Sequence, residues 1–222
     1  MDIEGKCVVA VGGASGMALA SLKELMKHGA KGAIMDLPSS KGAEVAEELG
    51  ITFHPCNVMD AEETEQALND AVAAMGALHV AVNTAGGGHA RKTLNKEGAY
   101  PLDEFRRVIE LNLIGTFNLN RLQAEHMSKN EPDENGECGV MINTASIAAF
   151  EGQIGQVSYT AAKAGIAGMT LTMARDLGSY GIRVMTIAPS LFATGLTAGI
   201  PDEAEKMLTK DAAFPKRMGR PH

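Results

Sequence analysis

The chain has 222 residues, of which 45% are apolar and 21% charged, so its composition is that of a globular domain and excludes wholesale disorder or a fibrous repeat. A formal net charge of −7 disfavours a nucleic-acid groove, which needs a cationic face. No apolar stretch approaches the roughly 18 residues that cross a bilayer. We therefore expect a small-molecule ligand, and neither a nucleic-acid nor a membrane partner.

Cysteine and histidine usage narrows the compartment and the chemistry. Cys7, Cys56 and Cys138 lie far apart and form no CxxC pair. The acidic start of the chain resembles neither a signal peptide nor an Arg-rich transit peptide. These features predict a reducing, cytoplasmic location without disulfides. The six histidines show no ligand spacing, so no metal site is expected.

The apolar pattern predicts strands and helices in alternation. The predicted strands cover residues 6–12, 31–36, 51–56, 78–83, 140–145 and 182–188. The predicted helices cover residues 15–28, 39 or 40 to 49, 61–75, 103–127 and 158–180. The strands are short and almost wholly apolar, as in a parallel sheet that is buried on both faces. The pattern predicts an α/β fold with a Rossmann-type doubly wound parallel sheet, built as a single domain over residues 1–222.

Two longer loops follow predicted strands, at residues 86–101 and 190–201. Ligands of this fold lie at the carboxyl ends of the strands. Both loops are therefore expected to contact a ligand.

The turn between the first strand and the first helix has the sequence GGASGMA, from Gly12 to Ala18. Small residues let the backbone approach a pyrophosphate, and the helix N-terminus offers free amides and a positive dipole end. The spacing is not GxGxxG but is close to GxxxGxG, with Ala18 in place of the last glycine. Taken alone, the motif is equally compatible with a tight turn that binds nothing.

Asp36 ends the second predicted strand, 20 residues after Gly16. A carboxylate there accepts hydrogen bonds from the adenosine ribose hydroxyls and repels a 2′-phosphate. No Arg or Lys occupies positions 13–15, which also favours NAD over NADP. The alternative is that Asp36 only caps the following turn.

Tyr159 and Lys163 are four residues apart near the start of a predicted helix, so they share one face. A tyrosine has a pKa of about 10 and needs nearby positive charge to act as a base at neutral pH. Ser146 follows the fifth predicted strand, where its hydroxyl can hold a substrate oxygen. A purely structural role is the alternative for the Tyr159–Lys163 pair alone; its combination with the glycine turn and Asp36 favours catalysis.

These pieces together resemble the short-chain dehydrogenase/reductase family across essentially the whole chain. The matching motifs are Gly12-xxx-Gly16, Asn83-Thr84-Ala85-Gly86, Asn112 in LNLIGTFN, Ser146 and Tyr159-xxx-Lys163. Longer strings, including KTLNKEGAYPLDEF, NEPDENG, INTASIAAFEGQIGQVSY, RVMTIAPSLFATGL and FPKRMG, are most similar to the short-chain type II 3-hydroxyacyl-CoA dehydrogenases, also described as type 10 17β-hydroxysteroid dehydrogenases.

The resemblance implies catalytic and substrate-binding roles. Tyr159 would be the general acid/base, and Lys163 would bind the nicotinamide ribose and lower the pKa of Tyr159. Ser146 would position the substrate oxygen, and Asn112 would hold a water that relays protons from Lys163. Gln153 would face the substrate pocket together with Ser146 and Tyr159.

The resemblance also implies a set of NAD-binding residues along the crevice. Thr194 would contact the nicotinamide carboxamide. The set comprises Gly12, Ser15, Gly16, Met17, Asp36, Asn57, Val58, Asn83, Ala85, Gly86, Tyr159, Lys163, Pro189 and Thr194.

Four residues depart from the family pattern. Val11 stands where threonine is usual, Ala18 replaces the third glycine, Asn57 replaces an aspartate, and Ser190 replaces a glycine. We expect Ala18 to bring a methyl close to the cofactor phosphates. None of the four is catalytic, so weaker or retuned NAD binding is predicted rather than loss of activity.

The sequence ends at His222, where similar proteins continue into a helix and a last strand. We expect the usual last strand to be absent from this sequence. The sixth predicted strand or its neighbour would then form an open edge of the sheet.

The resemblance implies an NAD-dependent oxidoreductase of fatty acid metabolism that interconverts a secondary alcohol and a ketone, with 3-hydroxyacyl-CoA as the leading substrate class. A hydroxysteroid or other alcohol dehydrogenase, an NADPH-dependent 3-oxoacyl-thioester reductase and a non-enzymatic NAD-bound scaffold remain alternatives. A homotetramer is the implied assembly. Candidates for a CoA phosphate contact are Arg91, Lys92, Lys206 and Lys210.

Overall fold

The central sheet contains six strands, in a computed structural model that describes residues 1–194, 201–210, 212 and 214–221. These strands are β1 (Cys7–Val11), β2 (Lys31–Asp36), β3 (Thr52–Pro55), β4 (Val80–Asn83), β7 (Gly139–Thr144) and β8 (Ile182–Ile187). They lie in the order β3-β2-β1-β4-β7-β8, and every pairing is parallel. This arrangement confirms the predicted doubly wound α/β fold.

Helices cover both faces of the sheet. The helices among the described residues are α1 (Gly16–Lys27), α2 (Gly42–Leu49), α3 (Ala61–Met75), α4 (Leu102–Ile109), α5 (Gly115–Met127), α6 (Val157–Leu177) and α7 (Asp202–Thr209). Short 3-10 turns cover Ile147–Ala149 and Gly178–Tyr180. No helix among the described residues is long and apolar enough to cross a membrane.

Element boundaries agree with the sequence predictions to within a few residues, with four differences. The predicted helix 103–127 is divided by a π-helical turn, Glu110–Ile114. The loop 86–101 contains an antiparallel hairpin of β5 (Leu94–Asn95) and β6 (Gly98–Ala99). Helix α7 was not predicted; it lies just beyond residues 195–200 of the second loop, which are outside the described residues. Lys41 rather than Ser39 or Ser40 is the N-cap of α2.

Strand β1 explains why the predicted strands are apolar throughout. All five of its residues are buried. Val8 and Ala10 pack with α1 and α2, whereas Val9 and Val11 pack into the larger cluster that includes residues of α3 and α5. Because both faces are covered, a period-2 alternation of polar and apolar residues is absent.

The strand order reverses between β1 and β4, which are neighbours although they are far apart in sequence. Val11 and Asn83 are paired at the carboxyl ends of these two strands. The loops that leave the two strands diverge to opposite faces and open a crevice between them. This crevice brings the glycine turn and the segment after β4 together.

Four buried amide side chains fasten this end of the sheet to α5. Asn83 and Gln123 exchange two hydrogen bonds of 2.9 and 2.8 Å, and Asn120 and Asn143 exchange two of 2.9 and 3.0 Å. Asn83 Nδ2 also donates to Asn143 Oδ1 at 3.0 Å, which joins the pairs. All four residues are at most 3% exposed. The polar groups therefore satisfy one another inside the apolar layer.

Strand β8 forms one edge of the described sheet, and Met185 and Ile187 on it are exposed. After β8 in the chain, Phe192 forms an isolated parallel bridge with Gly219.

The amide cluster predicts a large difference between two identical substitutions. Gln123→Leu removes both bonds to Asn83 and leaves the buried Asn83 Oδ1 without its donor, at a cost of about 2 kcal/mol. Gln66→Leu on the exposed face of α3 is the matched control and should change the free energy of unfolding by about 0.5 kcal/mol or less. Urea denaturation of the two variants measures both values; equal stabilities would contradict the assignment.

Candidate active site

The glycine turn is closed by backbone contacts that leave no room for side chains. A Cβ on Gly12, whose φ is +75°, would lie 2.9 Å from the backbone nitrogen of Ala85. A Cβ on Gly13 would lie 2.5 Å from the carbonyl oxygen of Ala10. The turn leads directly into the N-terminus of α1, where Ser15 is the N-cap and its side chain caps no backbone amide. Such a backbone cradle fits the pyrophosphate of a dinucleotide.

Asp36 lies at this turn, as the sequence predicts. Its Oδ2 accepts a hydrogen bond from the backbone of Ala14 at 2.9 Å, and its Oδ1 accepts one from Leu37 at 2.7 Å. Each carboxylate oxygen can accept a second hydrogen bond. Asp36 is therefore both part of the turn and a remaining acceptor for ligand hydroxyls.

Thr84 replaces the hydroxyl that Val11 lacks. Its Oγ1 donates to the carbonyl oxygen of Val11 at 3.2 Å and also borders the space beside Gly12. Thr84 therefore links the start of the glycine turn to the segment that follows β4. The expected effect of Ala18 is wrong: its side chain is fully buried in the apolar cluster beneath α1, so its methyl does not face the crevice.

Three other predicted cofactor residues have their own local partners. Asn57 Oδ1 accepts from the backbone of Met59 at 3.1 Å, which forms a local turn, and the neighbouring Val58 is buried. The side chain of Asn83 belongs to the amide cluster, so only its backbone is left for a ligand. The departure of Asn57 from aspartate therefore changes a turn residue rather than a free side chain.

The segment after β4 lies directly on the catalytic residues. A Cβ on Gly86 would lie 2.6 Å from Asn112 Oδ1 and 3.4 Å from Lys163 Nζ. Asn112, buried in the π-helical turn, donates to the Gly87 carbonyl oxygen at 2.7 Å and accepts from the Gly87 nitrogen at 3.1 Å. Asn112 therefore holds this segment in place, and its water relay stays a prediction.

Lys163 is buried, and its Nζ donates to the carbonyl oxygen of Thr144 at 2.7 Å. The Nζ atom lies 5.5 Å from the centroid of the Tyr159 ring. Burial lowers the pKa of Lys163 to about 8. Burial therefore makes this ammonium easier to deprotonate than an exposed lysine.

Tyr159 and Ser146 meet at the end of β7. Burial raises the pKa of Tyr159, and its hydrogen bond with Ser146 opposes that rise. The net direction is upward because burial outweighs the hydrogen bond with Ser146, and the lowering of the Tyr159 pKa by Lys163 stays a prediction. Ser146 Oγ also accepts from the backbone of Ala148 at 3.2 Å, which fixes its side chain.

The remaining predicted site residues lie at different distances from the glycine turn and the catalytic side chains. Thr194 is brought to the glycine turn, because a Cβ on Gly16 would lie 3.3 Å from Thr194 Cβ. The Pro189 carbonyl oxygen accepts from Ile147, next to Ser146, at 3.0 Å. Gln153 lies in an exposed loop, where its amide donates to the Glu151 carbonyl oxygen at 3.2 Å, and its place in the substrate pocket stays a prediction. Met17 lies half-buried in the first turn of α1.

Arg91 is not a free cation for a phosphate. Its guanidinium pairs with Glu104 at 3.0 Å and with Glu97 at 3.4 Å. Lys92 and Lys206 are exposed. Arg91 is therefore already paired with carboxylates and is a poor candidate for the CoA phosphate contact. The structure gives no geometric support for the other candidates.

The sequence did not reveal two contacts at or next to Tyr159. Gly88 lies against its ring, and Tyr100 reaches the neighbouring Ser158. Tyr100 and Ser158 are 58 positions apart. The only local signal was that Ser158 adjoins Tyr159.

Comparisons with known proteins agree with this geometry. The family model described as short chain dehydrogenase matches residues 6–205. A protein named 3-hydroxyacyl-CoA dehydrogenase type-2 from Bos taurus is 48% identical over 99% of this chain and 86% of its own. The protein of that name from Drosophila melanogaster is 47% identical over 99% of this chain and 88% of its own.

A solved structure supports the same conclusion. The 3-hydroxyacyl-CoA dehydrogenase type-2 of Mycobacterium avium is 40% identical, with a TM-score of 0.90, over 97% of this chain and 84% of that one. Residues 6–205, which the family model matches, contain the sheet, the glycine turn, Ser146, Tyr159 and Lys163. The chain belongs to the short-chain dehydrogenase family, whose members are oxidoreductases that act on CH–OH groups with a nicotinamide cofactor.

Proposed function

We propose that this protein is an NAD-dependent dehydrogenase that interconverts 3-hydroxyacyl-CoA and 3-oxoacyl-CoA. The observation that carries the proposal is the assembly of Ser146, Tyr159 and Lys163 beside the glycine turn, at one end of the sheet. The names of relatives that are 47 to 48% identical over 99% of the chain support the substrate class.

The three side chains divide the work on the substrate oxygen. Tyr159 removes the proton of the alcohol during oxidation and returns it during reduction. Ser146 donates a hydrogen bond to the same oxygen and stabilises the charge that develops on it. A bound nicotinamide cofactor would supply the hydride acceptor for oxidation at the carbinol carbon and the hydride donor for the reverse direction.

Lys163 acts through its charge and its position. Its Nζ lies between Gly86 and the Tyr159 ring, where a protonated ammonium favours the phenolate form. The bond to Thr144 keeps it there. Since burial alone raises the pKa of Tyr159, the catalytic base depends on this positive charge and on that of the oxidised cofactor.

NAD is the proposed form of the cofactor because Asp36 lies at the glycine turn. Its carboxylate retains acceptors for two ribose hydroxyls and repels a phosphate group at the same place. Residues 13–15 of the turn supply no cation to offset that repulsion.

The first test measures NADH formation at 340 nm with NAD and 3-hydroxybutyryl-CoA. The wild-type protein should turn over, and Tyr159→Phe should lose at least a hundredfold in kcat because the proton acceptor is gone. Tyr159→Phe should still bind NAD in calorimetry. Turnover only with a hydroxysteroid, or undiminished turnover in Tyr159→Phe, would refute the substrate class or the mechanism respectively.

The cofactor assignment predicts a charge-specific effect at Asp36. Asp36→Asn should weaken NAD binding roughly tenfold, because a charge-assisted hydrogen bond to the ribose is lost, and should narrow the preference over NADP. Asp103→Asn removes the same charge from an exposed position on α4 and is the control. Calorimetric titration with both cofactors decides; tight NADP binding with negligible NAD binding by the wild type would refute the assignment.

We also propose a homotetramer. Support comes from large apolar side chains that are exposed along one helical segment: Leu102 on α4, Ile114 in the π-helical turn and Phe117 on α5. Such a surface is typical of a subunit interface. Sedimentation velocity should show a tetramer that Phe117→Glu dissociates and Tyr180→Glu, at another exposed aromatic, does not; a monomeric wild type would refute it.

A cytoplasmic location remains our proposal. Its support is that Cys7, Cys56 and Cys138 are all free and buried, as is usual in a reducing compartment. Fractionation of the source cells tests it.

A further inference from the structure

The hairpin that follows β4 returns to the active site through Tyr100. This residue comes directly after β6, and its hydroxyl lies 2.9 Å from Ser158 Oγ. Ser158 is fully buried in the first turn of α6 and immediately precedes Tyr159. One hydrogen bond therefore fixes the hairpin relative to the turn of helix that carries the acid/base.

The same hydroxyl also faces the segment that follows β4. It lies 3.4 Å from His89 Nε2, and the two rings pack edge to face with centroids 6.2 Å apart. His89 Nε2 lies 2.9 Å from Glu104 Oε2. Glu104 Oε1 accepts from Arg91 at 3.0 Å, and the Arg91 backbone donates to the Gly155 carbonyl oxygen at 2.8 Å. The outer end of the segment is thus anchored at two of its residues.

Between these anchors and Asn112, the segment touches the reacting tyrosine. A Cβ on Gly88 would lie 3.0 Å from Tyr159 Cδ2, so the backbone of Gly88 covers the ring. Gly87 is held on its other side by the amide of Asn112. Gly88 thus lies between His89, its neighbour in the chain, and the Tyr159 ring.

We propose that Tyr100 is a positioning residue for Tyr159: its hydroxyl, shared between Ser158 and His89, holds residues 86–91 against the acid/base. The inference deepens the proposed function and rests on it. Tyr100 acts through Ser158 on one side and through His89 and Gly88 on the other.

If the Tyr100 hydrogen bond served only to stabilise α6, its position along the helix would not matter. Thr170 and Thr186 make such a bond, 2.6 Å long, between α6 and β8 and three turns beyond Tyr159. The Tyr100 bond differs because its buried partner adjoins Tyr159 and because the same hydroxyl meets the segment that covers the ring. These two attachments converge on one side chain.

The test removes single hydroxyls. Tyr100→Phe keeps the ring and its edge contacts with His89 and Phe105, and Ser158→Ala removes the other partner of the bond. We expect each variant to lower kcat roughly tenfold, since displacements below 1 Å have effects of this order. The KM for NAD should not change. The double variant should match Tyr100→Phe, because Ser158→Ala removes only a bond that Tyr100→Phe has already lost.

Two further readings separate positioning from stability. The primary deuterium isotope effect on kcat, with substrate labelled at C3, should rise in both variants as hydride transfer becomes slower. Thr170→Val, which loses a hydroxyl bond of α6 remote from the site, and Tyr180→Phe, at an exposed tyrosine, are the controls and should leave kcat and the isotope effect unchanged.

A spectroscopic measurement does not depend on turnover. The chain has three tyrosines, so the Cζ resonance of Tyr159 in ¹³C-labelled protein can be assigned with Tyr159→Phe and Tyr180→Phe. Burial raises the pKa of Tyr159, and release of Gly88 should expose the ring. Its titration midpoint should therefore move downward in Tyr100→Phe and Ser158→Ala, and stay in place in Thr170→Val.

The outcomes are separable. If the wild type oxidises no 3-hydroxyacyl-CoA with NAD, the proposed function fails, and the Tyr159 resonance still decides the positioning role. If the wild type is active while Tyr100→Phe keeps its kcat, isotope effect and titration midpoint, the positioning role is overturned and the function stands. A lower melting temperature with those three values unchanged overturns it too. Should Ser158→Ala not fold, Tyr100→Phe alone decides.

Discussion

A buried hydrogen bond from Lys163 Nζ to the Thr144 carbonyl oxygen joins the two elements that carry the reacting groups. Helix α6 carries Tyr159, and β7 ends at Thr144, two residues before Ser146. Burying an ammonium group is costly, and the lowered pKa of about 8 reflects that cost. The bond offsets part of it and sets the distance between the helix and the strand end. The contact between Tyr159 and Ser146 depends on that distance.

The strand ends themselves are held by polar groups inside the apolar layer. Asn83 and Asn143 are register partners at the ends of β4 and β7, and both bond to amides of α5. Apolar packing alone tolerates small shifts of a strand, whereas reciprocal amide bonds tolerate few. The cluster thus aligns the loop that begins at Thr84 with the loop that carries Ser146. The cofactor crevice and the catalytic residues share this alignment.

The sequence was sufficient wherever the signal is local. Apolar runs located the strands, and the spacing of four placed Tyr159 and Lys163 on one helical face. The position of Asp36 at the end of a predicted strand, 20 residues after Gly16, indicated a role beside the glycine turn, and its carboxylate does bond to Ala14 of that turn. The sequence was insufficient where partners are remote. Asn112 holds Gly87 from a π-helical turn, and Tyr100 meets Ser158 across 58 positions, and no periodic pattern encodes either contact. The expectation for Ala18 rested on resemblance, and the structure places its side chain in the apolar cluster beneath α1.

The two halves of the site are built on different physical principles. In the cofactor half, backbone contacts determine the geometry. A side chain at Gly12 or Gly13 would collide with neighbouring atoms, and the Thr84 hydroxyl, just after β4, makes a hydrogen bond that Val11 cannot make. The catalytic half relies on side chains held by one or two hydrogen bonds each. Such backbone geometry tolerates the substitution of neighbouring side chains as long as another residue provides the lost hydrogen bond. A side chain held by a single bond has no such reserve. Departures from the family pattern at positions 11, 18, 57 and 190 are therefore compatible with an intact catalytic centre, because all four avoid the groups on which proton transfer depends.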